Sequence, residues 1–157
     1  MDSLEIKFHG NSQNLLQHIY DNLEEILPEE TITFFKTREW WTGRHDVLQK
    51  YLERLVPGTH LVACPGDTDE IEKLDVFELR IVDNDMSQKK MKKSACHDNS
   101  AKLLLEKKVG ELHTGWALSN DRRWRYHSWC VDFEGNIIET TEKRLAYLTA
   151  KIFVGKK

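Results

Sequence analysis

No apolar run in this chain exceeds a few residues, so no segment reads as a membrane span. A basic excess is also missing. The 23 Lys and Arg face 26 Asp and Glu, and the net charge of −3 argues against a dedicated nucleic-acid binder. Cysteine is scarce: three residues, widely spaced and odd in number, do not make a disulfide framework. A reducing cytoplasm is the expected setting. Neither CxxC nor HxxxH spacing occurs among Cys64, Cys96, His97, His113 and Cys130, so no metal and no cofactor is expected. A glycine-rich phosphate loop and a GxSxG elbow are both lacking. Three prolines and eight glycines leave little room for long disordered linkers. The opening MDSLEIKFHG has no basic stretch followed by an apolar one and does not read as a signal peptide.

What is present fits one globular domain spanning residues 1–157, with 39% hydrophobic and 31% charged residues. Leu4 to Phe8 alternates as a half-buried strand does. Leu15, Leu16, Ile19, Tyr20, Leu23, Ile26 and Leu27 recur at helical spacing until Pro28. Ile32 to Phe35 reads as a strand or as the lead-in to the next helix. Val47, Leu48, Tyr51, Leu52, Leu55 and Val56 mark a second amphipathic helix, stopped by Pro57-Gly58. Leu61 to Cys64 and Leu74 to Val82 have strand composition. Residues 83–93, polar and carrying KKMKK, are expected to form a mobile loop. A third helix is expected from Ser94 to about Lys107. After Gly110 come hairpin strands over Leu112–Leu118, Trp124–Phe133 and Ile137–Thr141, with turns at Asn120-Asp121 and Glu134-Gly135. Leu145 to Val154 is open between helix and strand. This order implies α+β, with an antiparallel sheet of C-terminal hairpins packed against about three helices.

Chemistry concentrates between Cys96 and Thr141. With Ser94 as N-cap, Cys96 falls in the first turn of a helix, where unpaired N–H groups and the helix dipole favour a thiolate. The plainer alternative is a small buried residue that only packs. Along the Trp124 strand, Arg125, His127, Trp129, Val131 and Phe133 share one face, which desolvates His127 as a general base requires. A histidine satisfied by a backbone carbonyl would look the same. If residues 132–135 form a type I turn with Gly135 left-handed, Val131 faces Ile137 and Trp129 faces Glu139. Glu139 then lies diagonal to His127 on one face and can orient the imidazole. Trp116, Trp124 and Trp129 are expected to be mainly structural, with Trp116 or Trp129 as a cleft wall and Arg125 as a binding residue.

A helix-start Cys, then a strand His, then a polar residue on the next strand resembles the papain-like cysteine-hydrolase superfamily. That group includes cell-wall peptidases, transglutaminase-like proteins and arylamine acetyltransferases. The segments GWALSNDRRWRYHSW and GNIIETTEKRLAY also resemble an uncharacterised family of small bacterial and phage-type proteins. Its pattern maps to Gly115, Trp116, Trp124, Arg125, His127, Ser128, Trp129, Glu139, Thr140, Arg144 and Tyr147. The first resemblance implies a papain-like core and a thiol-dependent hydrolase or acyltransferase acting on an amide or thioester bond. Cys96 would be the nucleophile, His127 the base and Glu139 the orienting group, with a peptide or small amide as substrate and no membrane or nucleic acid as partner. The alternative is a non-catalytic binding module that uses the Trp-rich sheet with Arg125 or Arg144.

Overall fold

A computed structural model describes residues 4–24, 26–82, 86–93 and 95–155. In chain order the elements are β1 (Glu5–Phe8), α1 (Leu16–Asn22), α2 (Glu29–Lys36), α3 (Gly43–Leu55), β2 (His60–Leu61), α4 (Thr68–Lys73) and β3 (Val76–Ile81). There follow β4 (Met86–Gln88), α5 (Cys96–Leu105), β5 (Glu111–Leu118), β6 (Arg123–Val131), β7 (Ile137–Glu139) and β8 (Ala146–Val154). The class is α+β, with five α-helices and one mixed eight-stranded sheet among the described residues.

Strand order is β1-β3-β8-β5-β6-β7-β4, with β2 paired to β6 off this path. The β5–β6 and β6–β7 pairs are the antiparallel hairpins expected. Three pairings are parallel instead: β1 with β3, β2 with β6 and β4 with β7. The open segment at Leu145–Val154 is strand β8, which runs back between β3 and β5. Backbone pairing to two neighbours there decides what composition left undecided.

Two expectations need correction. Ile32 to Phe35 is not a strand; it lies in α2, which starts behind Pro28 with Glu29 and Glu30 in its first turn. The 83–93 segment is not simply a loop. Met86–Gln88 is a strand in register with Ile137–Glu139, and Lys89 N–H and Met91 N–H donate to the carbonyls of Glu139 and Thr140. Polar side chains hid a backbone that pairs at a sheet edge. Residues 83–85 of that expectation lie outside the described residues.

Chain length forces the sheet to curl. Ile81 ends β3 and Met86 begins β4, so about 17 Å of extended chain is the longest span between them. Five strand-to-strand steps separate β3 from β4 in the sheet, about 24 Å if it were flat. The two ends must therefore approach. Arg80 Nη1 donates to the Gly135 carbonyl at 2.8 Å across this approach. Tyr147 Oη lies 3.2 Å from Met86 Sδ. The inner face carries Val82, Ala117, Trp129, Val131, Ile137 and Tyr147. The outer face, with Phe77, Leu79, Trp116, Trp124 and Leu148, is packed by Ile19 of α1 and by Leu48 and Leu52 of α3. Leu103 of α5 and Val109 beyond its end cover Cys130.

Curling needs close backbone approach at Gly115, where the β5–β8 register shifts. A Cβ there would stand 1.9 Å from the Leu148 carbonyl oxygen and 3.0 Å from the Ala150 nitrogen. Gly115→Ala must push two central strands apart. An expected loss of about 1–3 kcal/mol or more follows from overpacking a rigid backbone, and a urea melt reads it. An unchanged midpoint would show that β8 can yield.

Candidate active site

Cys96 is the first residue of α5. Ala95 is its N-cap, with φ −118°, and Asn99 N–H closes the first helical turn on the Ala95 carbonyl at 2.8 Å. Ser94, the expected cap, lies outside the described residues. The Asn99 side chain also donates to the Lys92 carbonyl at 2.8 Å, which ties the approach to the helix. Cys96 is thus held where α5 leaves its first N–H groups free.

His127 comes from β6 and Glu139 from the end of β7. Gly135 has φ +88° and donates to the Asp132 carbonyl at 3.1 Å, while Asp132 N–H donates to Asn136 at 2.9 Å. That turn sets Val131 against Ile137 and Cys130 against Ile138. The β6–β7 pairing ends there, and the imidazole and carboxylate meet beyond it. His127 Nε2 lies 2.8 and 3.0 Å from the two Glu139 oxygens. Nδ1 is the nitrogen left for the thiol.

Glu139 is fully buried yet saturated. Besides His127, it accepts from Tyr147 Oη at 2.8 Å, from Thr141 N–H at 3.2 Å and from Thr141 Oγ1 at 3.1 Å. Arg144 Nε stands 3.8 Å away. Burial opposes the carboxylate charge, but the His127 hydrogen bond and charge, then Tyr147 and Thr141, hold its pKa below the usual value. Burial likewise opposes charge on His127. Hydrogen bonds to Cys96 and Glu139 and the Glu139 charge prevail, and its pKa is raised. The pair therefore favours imidazolium beside carboxylate.

Burial pushes the Cys96 thiol up. Hydrogen bonds from His127 and His97 to the thiolate, the His127 charge and the Ser128 N–H outweigh it and bring the pKa down to about 5. The other two thiols go the opposite way. Burial and then the Asp67 charge raise Cys64 to about 11, and burial raises Cys130 to about 11. Cys130 is buried against α5, its sulfur 3.5 Å from the Ser100 carbonyl. All three cysteines are free.

A cleft of about 360 Å³ opens onto Cys96 and His127, with Lys93, Asp121, Arg125 and Arg144 around it. A larger one, about 560 Å³ between α3 and the β5–β6 turn, holds no cysteine. The smaller cleft is the one lined by Cys96 and His127.

Three sequence expectations thus converge: Cys96, His127 and Glu139 form one cluster. The binding residues divide. Arg125 borders the cleft, held by Asp121 through Nη1 at 3.1 Å. Trp116 is fully buried between Phe77 and Tyr126 and reaches no cleft wall. Trp129 is 1% exposed and packs on Tyr147 and His127 inside the curl. Both serve the core: Trp129 faces the inside of the curl, and Trp116 lies on the outer face beneath α1 and α3. Thr141 and Tyr147 were not read as partners of Glu139. His97 was read only as one of several scattered metal-type residues, although its adjacency to Cys96 was the available signal. No protein-family model, curated protein or solved structure matches the chain.

Proposed function

We propose that this protein is a thiol-dependent hydrolase or acyltransferase that cleaves an amide or thioester bond through Cys96, His127 and Glu139. The observation that carries this reading is the His127 imidazole held at 2.8 Å by a buried, fully satisfied carboxylate beside a helix-start thiol. Any buried carboxylate needs partners, but a thiol that only packed would be raised in pKa as Cys130 is, and Cys96 goes the other way.

The chemistry follows from the positions. The Cys96 thiolate attacks the carbonyl carbon, a C–S bond forms and the carbonyl electron pair moves to oxygen. Free N–H groups in the first turn of α5 offer hydrogen bonds to that oxyanion. As the electron pair returns, the bond to the leaving group breaks. The leaving nitrogen or sulfur takes its proton from His127. Water or another acceptor, giving its proton to His127, then attacks the thioester and frees Cys96. Glu139 keeps His127 oriented and stabilises its charged form. The order of these three groups is the basis for reading the core as papain-like. Peptides or small amides are the proposed substrates. Free thiols favour a reducing compartment such as the cytoplasm. Among the described residues no helix is long and apolar enough to cross a membrane. The binding-module alternative loses its tryptophans, since Trp116 and Trp129 are buried, and keeps Arg125 and Arg144 at the cleft.

Acyl trapping tests this. Treatment with p-nitrophenyl acetate is expected to place one acetyl group on Cys96 as a hydroxylamine-labile thioester, read by peptide mass spectrometry. His127→Ala should slow its formation by about 10²–10⁴-fold, the range of general acid–base contributions. Acetyl groups scattered over lysines with Cys96 unmodified would overturn the reading.

A further inference from the structure

The residue after the nucleophile has its own hydrogen-bonded support. His97 Nδ1 makes a short hydrogen bond with Ser128 Oγ, and Ser128 Oγ in turn lies 3.0 Å from Thr114 Oγ1. Ser128 and Thr114 face each other across the β5–β6 ladder and are both buried. The His97 ring also packs on Tyr126, with centroids 5.4 Å apart. A surface histidine on a helix has no need of a two-hydroxyl chain rooted in the central strands. This one has its ring position set from beneath, beside the Cys96 sulfur.

Resting on the Cys–His reading above, we propose that His97 is a second catalytic imidazole, held by Ser128 and Thr114, that donates a hydrogen bond to the Cys96 thiolate. The groups facing it are Cys96, His127 and Asp98, the Tyr126 ring on β6, and the Ser128 hydroxyl. The Cys96 hydrogen bond and charge raise its pKa, Asp98 adds to this, and burial and the His127 charge oppose. The division of labour follows from burial. His127 is 3% exposed and bound to Glu139, whereas His97 is exposed and can exchange protons with solvent. His127 moves the proton of each acyl-transfer step. His97 stabilises the thiolate in the resting pair and again as the sulfur is expelled from the thioester; while the sulfur is acylated it carries no charge for His97 to hold. No bond to His97 is made or broken beyond that hydrogen bond.

The pH dependence of Cys96 alkylation by iodoacetamide decides it, with wild type, His97→Gln, Ser128→Ala and His127→Gln compared. Wild type should show a midpoint near 5. His97→Gln should move it up by about 1–3 pH units, the effect of removing one close opposite charge. Ser128→Ala should move it the same way by less, because the imidazole stays but loses its support. Within wild type, the His97 ring resonance should titrate above 6.5 and fall in Cys96→Ser, which needs no folded His97 variant. An unmoved midpoint in His97→Gln, with a shift in His127→Gln, overturns the proposal and leaves the Cys–His reading standing. A wild-type midpoint near the ordinary thiol value overturns that reading itself.

Discussion

Glu139→Ala is expected to cost about 3–5 kcal/mol of stability, the penalty for removing one member of a buried ionic pair. The carboxylate accepts from His127 Nε2, and Thr141 N–H and Oγ1 and Tyr147 Oη also turn to it. Alanine leaves these donors and Arg144 around a void that is fully buried. Glu139→Gln keeps one acceptor oxygen and the volume, so its loss should be smaller. The sign with pH separates charge from packing. Glu139 has a folded pKa below 4.5, so its contribution is complete above the unfolded value and is lost as pH falls through the folded one. His127 has a folded pKa above 6.5, so its contribution is complete below the unfolded value and is lost as pH rises through the folded one. Both are in place between 4.5 and 6.5. Urea melts at pH 6 should show the full gap between wild type and Glu139→Gln, and the gap should close in acid. A gap that stays constant down to the lowest pH at which the protein folds would mean that the carboxylate acts only by filling space.

Cys96 is expected to take up iodoacetamide ahead of Cys64 and Cys130, and by more as the pH is lowered. At pH 7 a thiol of pKa about 5 is almost wholly thiolate, while one of pKa about 11 is about 10⁻⁴ ionised. Lower basicity weakens the nucleophile: a Brønsted slope of about 0.45 over six units returns a factor of about 500. A net preference of roughly 20-fold remains at pH 7. At pH 5.5 it grows to several hundredfold, because Cys96 stays largely ionised while the other two lose their thiolate. His127→Ala should cut the Cys96 rate at pH 5.5 far more than at pH 9. Peptide mapping after timed labelling reads all three sites in one sample. Equal rates at the three cysteines, unchanged by His127→Ala, would leave Cys96 a packing residue.

The local signals and the long-range ones had different fates. Alternation marked Glu5–Phe8, and strand composition marked Val76–Ile81, where Phe77, Leu79 and Ile81 are buried in turn. Helical spacing marked α3, whose Leu48 and Leu52 enter the core. The Glu134-Gly135 turn carried its own register, because only a left-handed residue completes that bulge, and register then put Glu139 on the His127 face. The Cys, the His and the Glu were therefore all legible: each rests on a helix start, a strand face or a turn, and these are properties of a few consecutive residues.

What no local window contained was the closure of the sheet. Met86–Gln88 is polar and short, and it is a strand only because β7 lies beside it. Its pairing with β7 and the short link from β3 curl the sheet, and the curl buries Trp129 and Tyr147 instead of presenting them to a ligand. Curling also brings Tyr147 of β8 to Glu139 of β7, two strands that are not neighbours. His97 acquires meaning in the same way, through Ser128 and Thr114 on strands distant in sequence. The sequence by itself determined the α+β class, the hairpin register and the three candidate reactive residues, because short-range backbone geometry sets those. Tertiary structure alone decided which polar groups surround them, because hydrogen-bond partners far apart in the chain are chosen by how the sheet closes.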